Sequence, residues 1–321
     1  MINEPRPGAF THLREGDTVR FISPASSPNR EAVINGKRLL EGWGLKVDFG
    51  AHTFDHLGHY LAGRDEDRLA DLNEALRDSG VRAIFCTTGG KGSYRIAHGL
   101  DLDAVRRDPK PLIGFSDITT LHLVRWKQCR AIGLYGPMMA WDQQWYGRDG
   151  AESLRGALMD RKSITIAARP EESTWTVRRD GAATGVLMGG TLGVIARSVG
   201  WACPSFAGAI LMIEAQDAYL GEIDSSLTQL TRSGVLDGVR GVAVGRFFRC
   251  GSQSSGIVRR LWGRGAESRT FVDVLTDRLR DLAVPVLGGL PIGHGPHPLT
   301  VRLGALATID TGSNTLTVHA H

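Results

Sequence analysis

A chain of 321 residues with 42% hydrophobic and 22% charged residues can bury a sizeable core without disulfide or metal staples, and reads as one large domain or two. Its net charge of +4 is small for this length and its cations are scattered, which argues against nucleic acid or an anionic membrane as a partner. A mean hydropathy of −0.12 and the lack of any long apolar run argue against a membrane span.

The predicted elements alternate from the start. Residues 18–23 read as a strand that runs into a polar loop, and a helix follows over 30–43. A strand at 45–49 precedes a helix at 65–79 with Leu69, Leu72 and Leu76 on one face. Strands follow at 81–86 and 112–115. The polar stretch after residue 145 reads as a cover segment with a short strand near 174–177. Strands at 209–213 and 241–245, helices at 223–233 and 270–282, and a hairpin-like end over 299–318 complete the chain. The prediction is an α/β protein in three parts. These are an N-terminal parallel-sheet α/β domain (1–145), a linker or cover loop (146–183) and a C-terminal mixed α/β domain with β-rich character (184–321). In such sheets ligands lie beyond the carboxyl ends of the strands, where the loops 23–28, 87–93 and 116–117 converge.

The segment Pro111 to Trp126 carries the most information. An apolar run ends at Gly114, Ser116 follows, and Ile118, Leu121, Leu123 and Val124 then recur at helical spacing. A serine on a sharp strand-to-helix turn is how α/β hydrolases present a nucleophile, with free helix N–H groups at hand for an oxyanion. The second glycine of that turn is missing here, and serine is also a favoured helix cap. Gly89-Gly90-Lys91-Gly92-Ser93 fails the Walker pattern, because Gly92 follows the lysine. It reads as a turn bringing backbone N–H groups near a reacting oxygen, or as an ordinary glycine turn.

Glu214 ends an apolar strand, where it can orient a histidine or simply meet solvent. His294 stands between glycines on a rigid loop, suited to proton transfer or to plain solvation. His297 makes a His-x-x-His pair with it, but the intervening Gly295 and Pro296 rule out the single helical turn of a zinc peptidase. Cys86, Cys129, Cys203 and Cys250 form no CxxC pair and read as small buried hydrophobes. Trp141, Trp145 and Trp175 suit either a lid that stacks a nucleobase or packing between domains. The densest basic run, 259–264, reads as a solvated loop and helix start. With no apolar leader in the first residues, the expected location is the cytoplasm with reduced thiols.

Taken in order, Gly89-Gly90-Lys91-Gly92, Gly114-Phe115-Ser116-Asp117, Gly136-Pro137, Gly189-Gly190, Ile213-Glu214, Ile223-Asp224 and Gly293-His294 resemble the LD-carboxypeptidase family of serine peptidases. That family includes muropeptide LD-carboxypeptidases and microcin C immunity peptidases. The resemblance implies Ser116 as nucleophile, Glu214 as orienter and His294 as general base. It implies an oxyanion hole from the N–H groups of Asp117 and Gly90, no metal or other cofactor, and a homodimer. Thr88, Gly89, Lys91, Trp141 and Trp175 are the weaker candidates for substrate contact. Thr88 stands where muropeptide enzymes usually carry Arg, and Thr191, Ala215 and Ser225 also depart from the family's pattern. The Thr87 to Ser93 pattern looks more like the immunity branch. The expected substrate is therefore an aminoacyl- or peptide-nucleotide, with murein tetrapeptide as the alternative and a non-catalytic ligand-binding protein as the third reading.

Overall fold

The computed structural model describes residues 10–138, 143–251 and 269–320. The expectations on Trp141 and on the basic run 259–264 lie outside the described residues.

The first half forms strands separated by helices. β1 (Thr18–Ile22) leads to α1 (Arg30–Gly42), which is capped by Asn29 and buries Val33, Gly36 and Leu40. β2 (Lys46–Phe49) leads to α2 (Asp65–Arg77), whose three first-turn acids and last-turn Arg77 complement the helix dipole. β3 (Val81–Cys86) is followed by the short α3 (Ser93–Ile96) and α4 (Leu102–Arg107). β4 (Leu112–Ile113), α5 (Thr119–Cys129) and β5 (Gly133–Tyr135) complete the unit. The strands β5-β4-β3-β1-β2 are all parallel, so their carboxyl ends share one edge. Ile22, Cys86 and Ile113 end three of them, and each opens onto a loop of the candidate site.

Residues 146–183, expected as a linker or cover loop, carry regular structure. α6 (Gln143–Met159), broken at Gly147 (φ 55°), is followed by β6 (Ile164–Ala167) and β7 (Arg178–Arg179). The helix buries Tyr146, Leu154, Ala157 and Leu158 in the core, which is what a cover loop does not do. No strand forms at 174–177: Val177 N–H closes a turn on the Thr174 carbonyl.

The second half runs through β8 (Ala182–Thr191), α7 (Leu192–Arg197), β9 (Ala209–Gln216), α8 (Leu220–Arg232) and β10 (Gly241–Phe248). It ends with α9 (Phe271–Arg280), β11 (Val286–Leu287), β12 (Val301–Leu303), β13 (Leu306–Asp310) and β14 (Thr315–Val318). The eight-stranded sheet has the order β6-β14-β13-β8-β9-β10-β11-β7, parallel from β8 to β11 and antiparallel outside them. The predicted hairpin is β13–β14. β12 instead crosses to the first sheet and pairs antiparallel with β5. The fold is thus α/β with a mostly parallel first sheet and a mixed second one. Among the described residues no helix is long and apolar enough to cross a membrane.

Candidate active site

The sharp turn after β4 presents Ser116. Its φ of 62° lies in the left-handed region, a strain of the order of 1–3 kcal/mol for a residue with a side chain. Neighbours on both sides hold the turn. Gly114 N–H donates to the Leu134 carbonyl (3.1 Å), and the Gly114 carbonyl accepts Nε2–H of His122 (2.8 Å). Burial lowers the His122 pKa to about 4, so the ring is neutral at physiological pH. Asp117 is buried. Its Oδ2 accepts Ser93 N–H (2.8 Å) and its carbonyl accepts the Ser93 hydroxyl (2.7 Å). Burial dominates and pushes the Asp117 pKa up, against the pull of the Ser93 bonds and of Lys91 and Arg197.

The glycine turn after β3 lies directly against this serine. A Cβ on Gly89 would stand 2.8 Å from Ser116 Cβ and 3.4 Å from Asp117 N, so only glycine permits the approach. Ser26 clamps the turn: its N–H donates to the Gly89 carbonyl and its Oγ accepts Lys91 N–H, both at 3.0 Å. The Gly90 amide between them has no acceptor among the described residues. Together with the Asp117 amide it can receive an oxyanion.

Glu214, near the end of β9, is fully buried and saturated with donors. Oε1 accepts the hydroxyls of Tyr135 (2.7 Å) and Thr191 (2.6 Å). Oε2 accepts the ring Nδ1–H (2.6 Å) and the backbone N–H (3.0 Å) of His294. Burial is the largest influence on the carboxyl and favours the neutral acid. The His294 charge and the hydrogen bonds from His294 and Thr191 together outweigh it, so the pKa lies below the ordinary value. Burial, then the Glu214 charge, holds Tyr135 well above its usual range, so it stays a phenol and donates. Gly293 (φ 94°) makes the contact possible, since a Cβ there would stand 2.4 Å from Glu214 Oε2. With Nδ1 bonded to Glu214, proton transfer by His294 would run through Nε2.

Ser116 and His294 line one cavity of about 570 Å³, together with Gly90, Lys91 and Asp117. Sequence reasoning thus named a serine, a carboxylate and a histidine that the fold brings together, along with the glycine turn. It missed Tyr135 and gave Thr191 no role. The available signal was a polar residue at each strand end, Tyr135 closing β5 and Thr191 closing β8. Thr88 is half-buried and does not line the cavity. Trp175 is also outside it: the indole packs beside Gly289 with the Arg178 guanidinium 5.3 Å from the ring centre. His297 is exposed and lines no part of the cavity, while Trp145 stacks edge-on against Phe248. Among the described residues, the group able to gather a metal ion is His52, Asp55 and Asp67, half-exposed, with His52 Nδ1 already bonded to Asp55 (2.8 Å).

Comparison with known proteins identifies the family. Residues 19–136 match the family model of the LD-carboxypeptidase N-terminal domain, and residues 184–309 that of the C-terminal domain. A Bacillus subtilis protein named as a probable murein peptide carboxypeptidase is 34% identical over 311 residues, covering 96% of this chain and 93% of that protein. The Escherichia coli microcin C7 self-immunity protein MccF is 25% identical over 353 residues, covering 99% of this chain and 97% of that protein. A solved structure of MccF in complex with aspartyl sulfamoyl adenosine superposes with a TM-score of 0.84 at 23% identity, over 98% of this chain and 99% of that one. The chain belongs to the LD-carboxypeptidase family and is a serine peptidase.

Proposed function

We propose that this peptidase hydrolyses the bond that releases the carboxyl-terminal residue of a murein tetrapeptide, through an acyl-enzyme on Ser116. The observation that carries the reading is the buried pair of Glu214 and His294, set in the same cavity as a serine on a strained turn. His294 Nε2 takes the Ser116 proton as Oγ attacks the carbonyl carbon. The amides of Gly90 and Asp117 receive the oxyanion, each worth about 3 kcal/mol. The amine then leaves with the proton from His294, and water repeats the sequence on the ester to regenerate the serine. Glu214 keeps Nδ1 protonated and stabilises the imidazolium as it forms. Full-length similarity to a relative named for murein peptides supports the substrate.

A second reading, cleavage of an aminoacyl-nucleotide conjugate, is supported by the Thr87 to Ser93 pattern and by the full-length similarity to MccF. One mass-spectrometric assay separates the two. Wild type and Ser116→Ala each meet a murein tetrapeptide and an aminoacyl sulfamoyl adenosine. Loss of terminal D-alanine by wild type alone supports the first reading, and release of the amino acid from the nucleoside supports the second. Equal turnover by Ser116→Ala rejects both. The reading includes a homodimer acting in the cytoplasm, and light scattering tests the dimer.

A further inference from the structure

The catalytic cavity does not close at the serine. It adjoins a second cavity of about 620 Å³, whose lining includes the exposed rings of Tyr94 and Trp201. Four residues line both spaces: Lys91, Asp117, Val194 and Arg197. The boundary between them is therefore cationic, with one buried carboxylate beneath it.

The two cations there differ from several of the chain's arginines. Arg20, Arg68, Arg95 and Arg246 are each held in ion pairs with carboxylates. Neither the Lys91 ammonium nor the Arg197 guanidinium has a hydrogen-bond or ion-pair partner among the described residues, and both residues are exposed. Both pull electrostatically on Asp117, but that carboxylate is buried and its Oδ2 is already bonded to Ser93. The backbones that carry the two cations are fixed. Lys91 N–H is tied to Ser26, one residue from the Gly90 amide. The Arg197 carbonyl accepts the indole N–H of Trp201 (3.0 Å). Gly193 leaves room for the guanidinium to lie back along α7, since a Cβ there would stand 3.2 Å from Nη1. Asp217 and Glu222 line the catalytic cavity but not the second one, whose acidic lining residue is the buried Asp117.

We propose that Lys91 and Arg197 form a carboxylate-binding subsite at this boundary, which holds the free C-terminal carboxylate of the departing residue. The inference rests on the peptide reading given above. A guanidinium fork matches a carboxylate in two parallel hydrogen bonds, and a nearby ammonium adds an undirected attraction. Such a subsite beside the oxyanion turn places a free carboxylate one residue beyond the reacting carbonyl. An enzyme so built cuts only at a chain's end, because an internal peptide has a neutral amide at that position. The second cavity leaves space beyond the carboxylate for the side chain of a departing residue larger than alanine.

The test is calorimetric binding to Ser116→Ala protein, in which turnover is blocked. The probes are the murein tetrapeptide, the same peptide as its C-terminal amide, and adenosine monophosphate. The expected result is that the acid binds at least 10-fold tighter than the amide. Adding Arg197→Gln or Lys91→Gln should bring that ratio close to one and leave the amide's affinity unchanged. Both side chains are exposed, so thermal melting should confirm that the variants fold like the parent. The proposal is overturned if the parent does not prefer the acid, if the preference survives both substitutions, or if neither peptide binds at millimolar concentration. It is also overturned if adenosine monophosphate alone binds in an Arg197-dependent way, since the cations would then serve a phosphate. Failure of the peptide reading shows separately, as wild-type protein that leaves the tetrapeptide intact.

Discussion

Glu214 Oε2 receives two N–H groups from one residue, the ring Nδ1–H and the backbone N–H of His294. The carboxylate therefore fixes both the imidazole and the loop that carries it. Replacing it by glutamine keeps the volume but turns one oxygen into an NH₂ donor facing donors. Glu214→Gln should lower turnover by about 1,000-fold and destabilise the fold by about 3 kcal/mol. The folded-state pKa is depressed, so the charged carboxylate favours the folded state fully above its ordinary value of 4.5 and loses that contribution as pH falls below it. Acid titration of stability should accordingly be steeper in wild type than in Glu214→Gln below pH 4.5.

Ser116 stands on a strained turn. Ser116→Ala should reduce hydrolysis by about 1,000-fold or more and leave the melting temperature close to that of wild type. Ser116→Gly should be equally inactive yet more stable by about 1 kcal/mol, since glycine accepts a positive φ freely. A glycine variant no more stable than the alanine variant would count against stored strain at this turn.

The Gly89 turn depends on close approach to Ser116. Gly89→Ala should push the serine aside by a fraction of an ångström. The expected loss is about 100-fold in kcat, read by steady-state kinetics with the preserved fold checked by circular dichroism.

His122 braces the serine turn as a neutral ring. Folded, it resists protonation down to about pH 4, whereas an unfolded histidine protonates near 6.5. The unfolded state binds more protons between these values, so stability falls as pH drops from 6.5 toward 4. The full contribution is about 3 kcal/mol. Urea unfolding across this range should show the decline in wild type and a flatter profile in His122→Gln.

The candidate site was more legible in the sequence than its surroundings. Ser116, Glu214 and His294 each follow an apolar strand or run, and a polar residue in that position signals a crevice. The first four strands were legible because βαβ periodicity is local, whereas the three-residue β5 was not. Residues 146–183 were not, because α6 breaks at Gly147 and exposes much of its polar face, while β7 is only two residues long. The grip of Tyr135 and Thr191 on Glu214 was hidden for another reason. It joins β5 of one sheet to β8 and β9 of the other, and nothing in local spacing announces a contact between residues 135 and 214.

β12 has a consequence for how this enzyme can change. Residues Val301–Leu303, near the end of the chain, supply the strand beside β5 in a sheet otherwise made from the first 135 residues. A chimera that joined the first matched segment of one relative to the second of another would have to inherit a compatible seam between β5 and β12, and a matching hydroxyl for Glu214. The two segments are therefore poor units for recombination, and each constrains which partners the other can accept.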